Sequence, residues 1–137
     1  MAHYSIKDLK IGQGVERKFC VEEEMGKQFA ELSKDFNPIH LDEQYAKNTR
    51  FRGKIAHGML VGSFISGVIG NEFPGEGSIY MKQDFKFVKP VRYGDTIKVC
   101  ITVSDIKLEK LQVELQTDCY NQKEEKVLTG KALVMVE

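Results

Sequence analysis

The sequence predicts an α+β fold, one antiparallel sheet wrapped around one long buried helix, in a single domain spanning residues 1–137. Three observations carry this. Apolar residues alternate with polar ones through the second half of the chain, the period that places one set on one face of a sheet. Residues 56–70 hold no Lys, Arg, Asp or Glu and are apolar nearly all round, the mark of a helix enclosed on most sides. Finally, 137 residues, 42% hydrophobic and 29% charged, suffice for one core and are too few for two substantial ones.

In chain order, residues 17–21 form a short strand. Residues 22–32 form a helix in which Met25, Phe29 and Leu32 recur at helical spacing; Glu22, Glu23 and Glu24 suit its positive N-terminal end. Asn37-Pro38 ends any helix there, because the residue before proline avoids the α region. The helix over 56–70 would be roughly 22 Å long at 1.5 Å per residue, the length of a strand of about six or seven residues. Its Gly58, Gly62, Ser63, Ser66 and Gly67 cost helix propensity but let a sheet approach closely. A Pro/Gly-containing loop follows over 71–77. Four strands come next. Their inward residues are Ile79, Met81, Phe85 and Phe87 in 78–87, and Ile97, Val99, Ile101 and Val103 in 96–103. In 111–119 they are Leu111, Val113, Leu115, Thr117 and Cys119, and in 127–136 Leu128, Ala132, Val134 and Val136. Short breaks at 93–95, 106–110 and 121–126 suit antiparallel neighbours.

Charge and composition exclude several classes of function. Twenty Lys and Arg balance twenty Asp and Glu, so no net field draws the chain to nucleic acid or to an anionic membrane surface. The longest weakly polar run, 55–70, falls short of the roughly 20 residues that span a bilayer. Lys7, Asp8 and Lys10 interrupt any secretory leader at the start. Cys20, Cys100 and Cys119 form no CxxC pair and leave one thiol over, which suits a reducing, cytoplasmic setting. With His3, His40 and His57 they show no ligand spacing, so no metal is expected.

Two segments can carry chemistry. In Asp35-Phe-Asn37-Pro38-Ile-His40-Leu-Asp42 the proline turn can bring a carboxylate and an imidazole together around one water, a general acid/base pair, with Asn37 orienting the water or the acid. The same spacing suits an Asx turn with His40 at the surface, and spacing alone leaves both open. In Ala56-His57-Gly58-Met59-Leu60, free N–H groups at a helix start meet the positive end of the macrodipole, and Gly58 has no side chain to block a ligand oxygen. It equally suits tight packing beside a near-core histidine. The basic groups Lys47, Arg50, Arg52, Lys54 and Lys86, Lys89, Arg92 fit solvated faces, and no binding residue is assigned from them.

Taken together these segments resemble the (R)-specific enoyl-CoA hydratases of the MaoC-like, hydratase-2 family. The likeness extends through Pro74-Gly75-Glu76-Gly77-Ser78-Ile79-Tyr80 and Phe85-Lys-Phe-Val-Lys-Pro90-Val91-Arg-Tyr-Gly94-Asp95, covering nearly the whole stretch from residue 15 to 136. Lys34 stands where many members carry glycine. The resemblance implies the hot-dog fold and reversible hydration of short-chain trans-2-enoyl-CoA to the (R)-3-hydroxyacyl thioester. It implies Asp35 and His40 as the catalytic pair, Asn37 and Ser66 as their orienting neighbours, and the Gly58 amide as the oxyanion donor. It also implies Ile69 and Val134 as the acyl-pocket floor, an acyl-CoA partner, a homodimer and no cofactor. A β-hydroxyacyl carrier-protein dehydratase and a non-catalytic acyl-CoA-binding module are the competing readings.

Overall fold

A computed structural model describes residues 1–137. The chain runs β1 (Gly14–Cys20), α1 (Glu23–Ser33), α2 (Pro38–Leu41), α3 (Glu43–Lys47), α4 (Gly58–Asn71), β2 (Ile79–Gln83), β3 (Lys86–Phe87), β4 (Thr96–Lys107), β5 (Gln112–Tyr120) and β6 (Lys126–Met135). All pairings are antiparallel, in the order β1-β4-β5-β6-β2, with β3 also on β6.

The alternation does what its period dictates in the central strands. Ile97, Val99, Ile101 and Val103 are at most 1% exposed, and Val113, Leu115, Thr117 and Cys119 are fully buried. Register sets them side by side, Val99 opposite Cys119 and Val103 opposite Leu115, with Leu115 in turn opposite Ala132. Against this face α4 lays Leu60, Val61, Ile65, Val68 and Ile69. Burying each such side chain is worth about 1.5–3 kcal/mol, which holds a glycine-rich helix in place despite its poor propensity. Gly58 and Gly62 show why those glycines are there. A Cβ at Gly58 would lie 2.6 Å from the Phe87 ring, and one at Gly62 2.8 Å from the Phe85 ring.

The structure departs from the sequence expectations at several places. Gly67 has open space around its Cβ position, so close approach does not explain it. The helix is less enclosed than its composition suggests: Met59, Ser63, Ser66 and Gly67 form an exposed flank, because the sheet covers one side of α4 only. The strand expected over 78–87 is two. A bulge falls between Tyr80 and Lys82, and Asp84 separates β2 from β3, its backbone seated against Gly130 of β6 and its carboxylate accepting the Lys131 N–H at 3.0 Å. Ile79, Met81 and Phe87 consequently stand about half exposed on the open edge. Leu111 is not inward either; its left-handed φ of 57° closes the turn before β5 and turns the side chain toward solvent.

Candidate active site

Asp35 and His40, the expected acid and base, are placed by the chain reversal after α1. That helix ends at Lys34, whose φ of 65° is left-handed and whose N–H bonds to the Ala30 carbonyl at 2.8 Å. In the next turn Asp35 Oδ1 accepts the Asn37 N–H at 3.1 Å, and Asn37 Oδ1 accepts the Ile39 N–H at 3.3 Å to cap α2, with Pro38 in its first turn. The Asx turn therefore forms while Asp35 and His40 still lie close together. Because the Asn37 side-chain oxygen is occupied as a cap, Asn37 holds Asp35 through its main chain.

His40 is half-buried, with its Nδ1 2.8 Å from the Ile55 carbonyl oxygen. A carbonyl only accepts, so Nδ1 carries the proton and Nε2 is left with a lone pair, the form a general base needs. Burial is the main influence on the ring and lowers its pKa from 6.5. The Ile55 bond opposes that shift, His57 adds to it, and the Asp35 charge opposes it. The Tyr93 hydroxyl donates to the His40 carbonyl at 2.9 Å, and Tyr93 reaches that position only because Gly26 of α1 has no side chain.

His57 and Gly58 form the start of α4. His57 is the N-cap residue, and its carbonyl accepts the Leu60 N–H at 3.1 Å and the Val61 N–H at 3.4 Å. The Gly58 N–H makes no hydrogen bond within the chain, leaving a free donor at the positive end of a 14-residue helix. The His57 ring is 2% exposed and stacks on His40, ring centroids 3.9 Å apart and planes 28° apart. One ligand-type atom from each of Asp35, His40 and His57 lies within 4.8 Å of the other two. The ring geometry does not suit a shared metal, however. Planes inclined by only 28° do not intersect within a metal–nitrogen bond of both rings.

Asp35, His40, His57 and Gly58 share one cavity of about 540 Å³, within the usual range for small-molecule sites. Arg50, Phe51 and Lys89 also line it, and its apolar walls include Val61, Val91, Val127 and Leu128. Ser66 is not among the lining residues. It is exposed and lines a neighbouring cavity with Phe29, Gln83 and Phe85, Met59 being common to both walls. Ile69 and Val134, 2% and 0% exposed, line neither cavity; they are packed in the core between α4 and the sheet.

The positioning contacts were not visible in the sequence. Arg92 is half-buried and donates from Nη2 to the Phe51 carbonyl at 2.6 Å and from Nη1 to that of Gly53 at 3.1 Å, fixing the loop that walls the cavity. Its charge is thereby directed inward, and Lys54 pairs with Glu23 and Lys89 with Glu125. These partners lie some 30 to 40 residues apart in sequence, so no local pattern marks them.

Comparison with known proteins agrees with this geometry. A MaoC like domain model matches residues 7–125. The chain is 43% identical over 134 residues to an (R)-specific enoyl-CoA hydratase of Rhodospirillum rubrum, spanning 98% of this chain and 92% of that protein. It is 38% identical over 132 residues to an (R)-specific enoyl-CoA hydratase of Aeromonas caviae, spanning 95% and 97%. The solved structure of an unliganded R-hydratase from Pseudomonas aeruginosa matches with a TM-score of 0.91 and 40% identity, over 96% of this chain and 84% of that one. The antiparallel sheet packed against α4 is the hot-dog fold of these hydratases, and the chain belongs to the MaoC-like domain family.

Proposed function

We propose that this protein is an (R)-specific enoyl-CoA hydratase that adds water reversibly across the 2,3 double bond of short-chain trans-2-enoyl-CoA. The observation that carries the reading is the shared cavity, which holds a carboxylate, an imidazole with a free Nε2 and an unbonded helix N-terminal N–H together. The relatives' activity supports the same assignment.

In this reading Asp35 accepts one hydrogen of a water and fixes its orientation, while His40 Nε2 takes the other as the oxygen attacks C3. Negative charge moves onto the thioester oxygen, where the Gly58 N–H receives it. A preorganised donor of this kind contributes on the order of 10²–10³ in rate. The proton held by His40 then returns to C2, so one water is added and no group is lost. Ile69 and Val134, packed in the core between α4 and the sheet, limit acyl length by leaving no room there for a longer chain. Ser66 joins the site only across Met59.

The protein works as a homodimer in this reading. The half-exposed Ile79, Met81 and Phe87 on β2 and β3, with Met59 beside them, form an apolar edge that pairing with a second copy would cover. A monomeric mass in light scattering at micromolar concentration would count against that. No helix of the chain is long and apolar enough to cross a membrane. Three free cysteines suit a reducing, cytoplasmic setting.

The deciding experiment mixes the purified protein with crotonyl-CoA and follows the ultraviolet absorbance of the conjugated thioester. Hydration abolishes the chromophore and simple binding does not. The product should be the (R)-3-hydroxy thioester, and an (S) product or an unchanged absorbance refutes the assignment. A carrier-protein thioester assayed alongside distinguishes the dehydratase reading.

A further inference from the structure

His57 is the residue of this site that ordinary packing explains least. Its ring is 2% exposed, yet Nδ1 has no hydrogen-bond partner. Phe29 lies against it with ring centroids 5.0 Å apart, so part of its surroundings is apolar. An orphaned buried polar atom lowers stability, and a phenyl or isobutyl group would avoid that cost. What imidazole adds here is contact with two separate parts of the site, made from the residue that precedes Gly58. Nε2 lies 3.1 Å from the main-chain carbonyl of Asp35, which only accepts, so Nε2 is the protonated nitrogen and donates. The ring face lies on His40 at 3.9 Å. The residue's own main chain begins α4 and leads directly into Gly58.

We propose that His57 is a positioning residue, which through its Nε2–H and its ring face sets Asp35, His40 and the Gly58 amide in register with one another. Misplacing a reacting group by about 1 Å costs on the order of 10² in rate, so a single hydrogen bond that sets this spacing is kinetically important even if it contributes little to folding. The proposal rests on the hydratase reading. Of the charged or titratable groups that line the cavity with His40, namely Asp35, Arg50, His57 and Lys89, only His57 also bonds to the main chain of the acid.

Two substitutions separate positioning from filling. His57→Phe keeps an aromatic ring and the stack, in a somewhat larger volume, but loses the donor. His57→Gln loses the ring but places an amide NH₂ where Nε2 stood. Positioning predicts that H57F lowers kcat on crotonyl-CoA by about 10- to 100-fold with KM changed less than threefold, and that H57Q recovers part of that kcat. A filling role predicts the reverse order, H57F near wild type and H57Q impaired in melting temperature and active fraction; that result overturns the proposal. The wild-type protein supplies a readout that needs no variant. Imidazole ¹H–¹⁵N correlation spectra should show His57 as the Nε2–H tautomer, and an Nδ1–H tautomer overturns the proposal even if neither variant folds. Wild-type protein that does not hydrate crotonyl-CoA overturns the hydratase reading and the proposal together. An active wild type with an equally active H57F overturns the proposal alone.

Discussion

Asp35→Asn tests the proposed chemistry with the least disturbance of the fold. Asp35 is exposed, and the one hydrogen bond of its side chain, Oδ1 accepting the Asn37 N–H, can be made equally well by the carbonyl oxygen of asparagine. Stability should therefore change by no more than about 0.5 kcal/mol. The substitution does remove the negative charge, along with one of the two acceptors that fix the water. Acid/base participation of this kind is worth about 10²–10⁴ in rate, or about 2.7–5.4 kcal/mol of barrier. A loss of that size in kcat/KM on crotonyl-CoA is expected. The pH profile adds an independent sign. The Asp35 charge raises the pKa of His40, against the stronger effect of burial that holds it below 6.5. Hydration needs unprotonated His40, so activity falls as pH drops through the His40 pKa. Without Asp35 that acid limb should move to lower pH while the plateau falls. His40→Gln should be as damaging as Asp35→Asn, and the double variant little worse than either, because the two groups serve one water. A variant retaining more than a tenth of wild-type kcat/KM would refute the role of Asp35, and an acid limb displaced upward would refute His40 as the base.

Two further outcomes follow from backbone and core geometry. Lys34→Gly relieves a left-handed residue at the end of α1, and after the larger chain entropy of glycine is subtracted the gain should be about 0.5–1 kcal/mol, read as a higher urea midpoint; a lower midpoint would show that the Lys34 side chain contributes to folding. Ile69→Ala should cost about 2–5 kcal/mol of stability as a cavity in a filled core, and should raise the decenoyl-CoA to crotonyl-CoA activity ratio; an unchanged ratio at full folding would remove Ile69 from the control of acyl length.

The sheet and the helix were legible in the sequence, because both are written in local periods. The alternation of Ile97, Val99, Ile101 and Val103 can bury only as a strand, and the charge-free stretch around Ile65 can only lie against an apolar face. The sequence also presented the site's raw material, since a proline turn between Asp35 and His40 and a glycine at a helix start are local features with local consequences. Alternation misled at 78–87, where edge position and the intrusion of Asp84 beside Gly130 decided exposure, and neither is encoded within the strand itself. Spacing also left Asp35 undecided between a turn and a catalytic pair. Tertiary structure decided that the Asx turn is formed, and that the same fold brings His40 under the Ile55 carbonyl and against the His57 ring. Arg92 and Tyr93 became part of the site for the same reason. What they hold lies some 40 to 50 residues away, and only packing of the β4 entry loop against the α2–α4 connection brings such groups within hydrogen-bond reach.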